Sequence, residues 1–485
     1  MRRSPFLLAL VCCAVAALVG FPTAQSQSPT LVLEHVNIVD VRAGRLVSDQ
    51  TVVIEQDRIT RVGPANSARL PLGATVLNAR TKYLIPGLWD MHVHAAWNGI
   101  DKVFAPLFVA NGVTGVREMY GDPAVIRAWK SKYGLGEPWP RMIAAGHILD
   151  GPNPIWPGST VARSPDEARQ AVDSLRASGA DFIKVYTRLP RDAYIAAIDE
   201  AKRVGTYVVG HVPDAVSIGE ASDLGQRSIE HLTGVTIECS KDADALRAER
   251  AAVASEASAL VLSVYARQTQ RILATQDSAR CSALIARLAR NHTWQVPTLV
   301  QLRGFASLDD ERFIADPRVR YMPQEVVKSW DWRKDFRFRE RTPEDWSNAR
   351  RHYRRYVEIL GAAHRAGIPI LVGTDVLNPF TFPGFSLHDE LTLLVEAGLT
   401  PAEALRAATL NPATFLNTQD SLGTVEKGKF ADLVVLDANP LEDVRNTARI
   451  NAVILNGRLY NRTQLDKLLV TAERTANPRP SAPIP

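Results

Sequence analysis

The sequence lacks the marks of several protein classes. After the N-terminus no stretch approaches the ~18 apolar residues of a membrane-crossing helix. Its 57 Lys+Arg stand against 52 Asp+Glu, a formal excess of only +5. The basic residues are interleaved with acidic ones and not gathered into a stripe, and no DNA- or RNA-binding motif is recognisable, which argues against a nucleic-acid partner. With 46% hydrophobic and 22% charged residues, the chain is not a disordered one. Cysteine is scarce: four in all, of which Cys12 and Cys13 lie in an N-terminal apolar run. The other two, Cys239 and Cys281, fit either a disulfide or two separate thiols. Histidine is scarce too, with ten in the chain, so where each falls carries information.

Arg2 and Arg3 precede the apolar run Phe6 to Phe21, followed by Pro22, Thr23, Ala24, Gln25 and Ser26. A basic start, a short apolar core and small residues beyond it read as a signal peptide over 1–26. The expected location is secreted or periplasmic, with no membrane span after cleavage.

Residues 27–83 read as short β segments: LVLEHVNIVD alternates, TVVIEQDRITRVG is a hairpin around Gln56–Asp57, and ATVLNAR follows. The texture returns over 420–470 in FADLVVLDANP and AVILNGRLYN, so both ends are expected to pair into one small β domain. The tail over 471–485 is Pro-rich and expected to be disordered. Between the ends, over 84–419, apolar strand runs alternate with amphipathic helices. The strands are read at 84–94, 113–119, 141–149, 182–186, 207–212, 228–232, 295–300 and 369–376. SPDEARQAVDSLRASG shows a helix start, with Ser164 and Glu167 forming a capping box and Gly179 as its stop. Eight βα units predict an α/β protein with a (β/α)8 TIM barrel. Residues 233–294 read as a helical insertion, and 301–349, rich in Trp, Phe and Arg, as a lid.

Strand ends carry the chemistry. His92 and His94 close the first strand two apart, so alternation turns both imidazoles the same way. Lys184 stands in the apolar run FIKVY, His211 ends the fifth strand, His231 the sixth, and Asp375 the eighth in GTD. Barrel active sites are built at such ends. A single strand-end His is more often a core residue; six metal- or base-capable residues at five strand ends are not an accident.

These residues resemble the amidohydrolase superfamily, in its imidazolonepropionase-like and Xaa-Pro-dipeptidase-like branch. The resemblance is carried by PGLWDMHVH, GVTGVREM, FIKVY, the later single histidines, GTD, HDELTLLVEAGLTPAEALRAATLNPATFL and GTVEKGKFADLVVLD. It implies a distorted (β/α)8 TIM barrel with a small β-sandwich domain built from both ends, and two divalent metal ions, zinc by ligand type. His92 and His94 match ligands of the first ion, and His211 and His231 of the second. Lys184 matches the bridging lysine carboxylated by CO2, and Asp375 matches the ligand that also moves protons. A free ammonium facing two dications would be repelled, whereas a carbamate is an anion. The implied reaction is hydrolysis of an amide- or peptide-type C–N bond of a small, dipeptide-like substrate by a metal-bridging hydroxide. Two departures from the pattern stand out: VREM, where many relatives have an Asp after the Arg, and GHVPD, without the second histidine of an HAH-like form.

Tyr186, two residues beyond Lys184, is a candidate substrate contact, with packing at the rim as the alternative. His147 is another, with a loop-stabilising role as its alternative; Trp156 and Arg303 rank below both. His35, His292, His352 and His364 read as structural or exposed, and His388 as packing at a helix start. Ester, lactone or phosphotriester substrates would use the same site, since fold and metals do not fix the leaving group. A non-catalytic binding protein would be expected to lose ligands, and all six are present. Oligomeric state, a homo-oligomer included, is left open.

Overall fold

A computed structural model describes residues 30–65 and 70–478; the expected signal peptide lies outside the described residues. The alternating N-terminal stretches form β1 (Leu31–Asp40), β2 (Arg45–Glu55), β3 (Arg58–Pro64), β4 (Thr75–Asn78) and β5 (Tyr83–Pro86). The β2–β3 hairpin turns at Gln56–Asp57, where Gln56 takes the left-handed φ of 55° that a tight turn requires. Parallel strands follow: β6 (Leu88–Val93), β7 (Val113–Glu118), β8 (Arg141–Ala144), β9 (Leu149–Asp150) and β10 (Thr160–Val161). The run continues with β11 (Ile183–Val185), β12 (Val208–Gly210), β13 (Ser228–Glu230) and β14 (Trp294–Val296). The C-terminal part adds β15 (Leu433–Leu436), β16 (Ile450–Leu455) and β17 (Arg458–Asn461).

Strands from the two ends of the chain share one sheet. β5 runs parallel to β1 on one side and antiparallel to β15 on the other, giving the order β17-β16-β15-β5-β1-β2-β3, with β4 beside β1. Where a sandwich is expected, hydrogen bonding therefore runs unbroken through a single eight-stranded sheet. Its apolar side chains, among them Leu33, Ile54, Leu84, Leu433 and Ile454, gather in one buried cluster.

The architecture is of TIM-barrel type, α/β with helices between the parallel strands, but those strands fall into two sheets, β6-β7-β8 and β10-β9-β11-β12-β13-β14. Two seams join them. On one, Asp181 N donates to Ala144 O at 2.8 Å. On the other, residues 369–376 stand where an eighth strand is expected and form only isolated parallel bridges, Gln295↔Ile370 and Val93↔Val376. Near the end of this segment Asp375 takes φ 57°, outside the β region. The observed strands are also shorter than the sequence runs: 182–186, for instance, yields only Ile183–Val185.

The insertion is helical, as its pattern predicts, with helices Ala243–Ala252, Ser258–Ala274 and Ser278–Arg290. Cys239 and Cys281, both buried, form a disulfide across a sequence separation of 42. In the chain-entropy account a loop of that size stabilises the fold by about 4 kcal/mol. Ser164 caps its helix through Glu167 N, but the Glu167 carboxylate accepts from Arg163 N, one residue before the cap, so the reciprocal box is not closed. The tail expectation also needs correction: residues 471–476 complete a helix, Arg462–Ala476, because Leu465, Ala472 and Ala476 extend a buried stripe up to the first proline. Residues 479–485 lie outside the described residues.

His388 packs as expected at a helix start. Its Nε2–H donates to Asn111 O at 3.1 Å, and Nδ1 lies 2.9 Å from Thr447 Oγ1, tying the helix Phe385–Glu396 to the C-terminal region. Burial pulls its pKa from 6.5 to about 4, against the nearby Asp389 charge that favours protonation. The unfolded chain therefore takes up this proton first as pH falls. Nothing is lost above pH 6.5, and between pH 6.5 and 4 the imidazole removes about 3 kcal/mol of stability. His388→Gln, which keeps a donor and an acceptor, should show a shallower fall of melting temperature over that window; a fall as steep as wild type's would contradict the assignment.

Candidate active site

The first parallel strand ends in LWDMHV, every residue buried. His92 and His94 leave it on one side, as their spacing predicts, with ring centroids 5.3 Å apart. Asp375 approaches both: its Oδ1 is 3.1 Å from His94 Nε2 and 3.4 Å from His92 Nε2. Asp375 Oδ2 is 3.8 Å from His231 Nε2. Ligand-capable atoms of His92, His231 and Asp375 all lie within 4.8 Å of one another. His211 sits beside this trio, its ring centroid 5.1 Å from that of His231. Lys184, 2% exposed, makes no ion pair among the described residues. Its Nζ stands 5.7 Å from the centre of the Tyr186 ring.

Backbone geometry delivers these side chains. His231 and Asp375 each take a left-handed φ of 57°, rare for non-glycine residues and concentrated at functional sites. At His231 the turn lets the adjacent Glu230 and His231 both serve the site, which strict strand alternation would forbid. Gly373 opens GTD because a Cβ there would lie 2.5 Å from Val296 Cγ1 and 2.9 Å from His92 Cβ. Gly210, with φ 121°, lets β12 pass Val185 O just before His211; a Cβ there would come within 2.3 Å of that oxygen.

Burial sets the protonation states. It lowers His92 and His211 well below the ordinary imidazole value and His231 to about 4, with Lys184 adding to the effect in each case. The Lys184 ammonium is itself pulled down to about 8 by burial, against the favouring charges of Asp375, Glu230 and Glu118. Burial pushes Asp375 up, but His231 and His94 outweigh it and hold the carboxyl below its ordinary range.

A divalent ion fits this donor set. Neutral imidazoles and a carboxylate converge, and His92 Nε2 is buried with no hydrogen-bond partner among the described residues. The other nitrogen of each ring is engaged. Nδ1 of His92 meets Glu230 Oε2 at 2.8 Å, that of His94 Tyr120 O at 3.3 Å, that of His211 Thr187 Oγ1 at 3.0 Å and that of His231 Thr298 Oγ1 at 2.7 Å. Such outer partners orient the nitrogen that faces an ion.

The two weaker candidates occupy different places. The Tyr186 ring stacks on His211 at 4.0 Å, and its hydroxyl accepts from Trp156 Nε1 at 2.9 Å. His147 is set back by one ring: its centroid is 6.3 Å from that of Tyr120, which in turn is 6.4 Å from that of His94.

Sequence reasoning passed over Asp90, Arg117, Ser228 and Glu230 and gave Glu118 no role. Asp90 accepts from Thr374 N at 3.0 Å and Thr374 Oγ1 at 2.6 Å, fixing the GTD turn. Glu118 accepts from the backbone N–H groups of Ala95, Ala96 and Tyr120 at 2.6, 2.9 and 3.1 Å and so holds the turn that follows His94. Each charged one, like Lys184, stands inside an apolar strand, a signal present in the sequence.

Comparison with known proteins now bears on the site. The amidohydrolase family model matches residues 331–460. Imidazolonepropionase of Deinococcus deserti is 25% identical over 419 residues, 83% of this chain and 88% of that one. Bottromycin amidohydrolase superposes with a TM-score of 0.73 at 25% identity, covering 93% of this chain and 92% of that one. Together these matches support the amidohydrolase superfamily. Ochratoxinase of Aspergillus niger is 36% identical over 104 residues, an alignment spanning only 21% of either chain.

Gly210→Ala tests the backbone of this site. The forced Cβ should cost about 3 kcal/mol and displace His211, lowering both melting temperature and bound metal. A variant that melts and loads metal like wild type would contradict the packing described.

Proposed function

We propose that the protein is a metal-dependent hydrolase that cleaves the C–N bond of a small substrate such as a dipeptide or N-acyl amino acid. The observation that carries the reading is the buried, unpartnered Nε2 of His92 facing the same point as His94, His231 and the Asp375 carboxylate. His92, His94 and Asp375 would hold one ion, and His211 and His231 a second, with zinc favoured by the ligand types. Lys184 would bridge them after its Nζ adds to CO2 and loses a proton, becoming an anionic carbamate. Divalent ions at these positions supply Lewis-acid polarisation of a carbonyl and lower the pKa of water.

The chain's own residues do the rest. Asp375, kept ionised by its imidazole neighbours, accepts the proton of the attacking water and delivers it to the leaving nitrogen. Glu118 and Asp90 hold the turns that carry His94 and Asp375. The Tyr186 hydroxyl accepts from Trp156 and keeps its own hydrogen to donate to substrate. Secretion or export to the periplasm is part of the proposal, supported by the N-terminal sequence and by the Cys239–Cys281 disulfide. Among the described residues no helix is long and apolar enough to cross a membrane.

A chelator should abolish hydrolysis and added Zn2+ restore it. Lys184→Ala and Asp375→Asn should each lower turnover by about 100-fold or more. Wild-type rates in both variants would contradict the mechanism. On a panel of dipeptides, N-acyl amino acids, lactones and phosphotriesters, the amides should turn over fastest; preference for a lactone or phosphotriester would overturn the C–N assignment while keeping the site.

A further inference from the structure

We propose that Glu230, gripped by Arg117 and Ser228, is a positioning residue that fixes the tautomer and ring orientation of His92 toward a divalent ion. The proposal rests on the metal-dependent reading above and gives the site a component outside its six ligand candidates.

Four donor contacts fill the Glu230 carboxylate. Ser228 Oγ–H reaches Oε1 at 2.6 Å, Arg117 Nη2 lies 2.9 Å from both oxygens, and His92 Nδ1 lies 2.8 Å from Oε2. A carboxylate so surrounded only accepts, so the His92 proton sits on Nδ1 and Nε2 presents its lone pair. That Nε2 is the buried atom without a partner. His92, Arg117, Ser228 and Glu230 are all 0% exposed, so no water competes for these contacts.

Arg117 couples ring to backbone. Its Nε donates to Met91 O at 2.6 Å, on the residue just before His92, and its Nη1 to Ser228 Oγ at 3.2 Å. One planar guanidinium thus fixes the strand that carries His92 and the carboxylate that turns its ring. The rings of Phe182 and Phe415, at 5.7 and 5.2 Å, confine the guanidinium in turn. A plain buried ion pair between β7 and β13 would need neither the contact to Met91 nor the one to Nδ1.

The test compares wild type, Glu230→Gln and Ser228→Ala. The readouts are the Zn2+ dissociation constant by chelator competition, the visible spectrum of the Co2+-loaded protein and the melting temperature of the metal-free protein. Glu230→Gln should weaken Zn2+ binding about 10- to 100-fold and alter the Co2+ spectrum. Ser228→Ala, which keeps the charge pair, should weaken binding about threefold. A folded Glu230→Gln with wild-type affinity and spectrum overturns the proposal, even if its metal-free form melts earlier. If Glu230→Gln does not fold, Ser228→Ala decides, and unchanged affinity there overturns it. Wild-type protein that takes up no Zn2+ overturns the functional reading along with it, whereas equal affinities across folded variants overturn only the positioning role.

Discussion

One end of the barrel removes a lysine, an arginine, four carboxylates and four imidazoles from water, and the structure depends on how that burial is compensated. An uncompensated buried charge costs several kcal/mol, a large share of a domain's net stability. Arg117 and Glu230 neutralise each other, Glu118 is held by three backbone N–H groups, and Asp90 by Thr374. Asp375 leans on His94 and His231. Lys184 makes no ion pair among the described residues, and burial pulls its ammonium down to about 8. A cluster that leaves Lys184 without an ion pair and His92 Nε2 without a hydrogen-bond partner among the described residues suits divalent ions.

The backbone bears part of the same burden. Positive φ at His231 and Asp375, and the close passes at Gly210 and Gly373, set side chains where regular strands would not. At residues 369–376 the ladder is reduced to isolated bridges, with single backbone bonds such as Met91 N to Val372 O and Asp375 N to His92 O, both 2.8 Å, still joining the segment to its neighbours. Irregularity at this end of the barrel and convergence of the ligands thus go together.

Much of this was legible in the sequence, for physical reasons that can be named. The H-x-H spacing, the lysine inside FIKVY and the histidines ending short apolar runs follow from strand alternation and from the cost of burying polar groups. The pairing of the two β-rich ends shows in their shared alternation. Glu230 was hidden because alternation sets it opposite His231, and only the left-handed turn reconciles the two. The helix Arg462–Ala476 went unread because β-type alternation before it and proline after it masked an apolar stripe that runs to Ala476. The disulfide depended on three-dimensional proximity that a count of two cysteines does not contain. Substrate identity was not legible, since Tyr186 and His147 are ordinary aromatic residues until a ligand touches them.

The central claim is that these buried groups are arranged for divalent metal. Anomalous X-ray diffraction at the zinc absorption edge, from crystals of protein loaded with Zn2+, tests it most directly. The account predicts anomalous peaks bonded to His92, His94 and Asp375 and to His211 and His231, with density extending from Lys184 Nζ between them. Zinc bound only elsewhere on the molecule, with this cluster closed on its own hydrogen bonds, would contradict it.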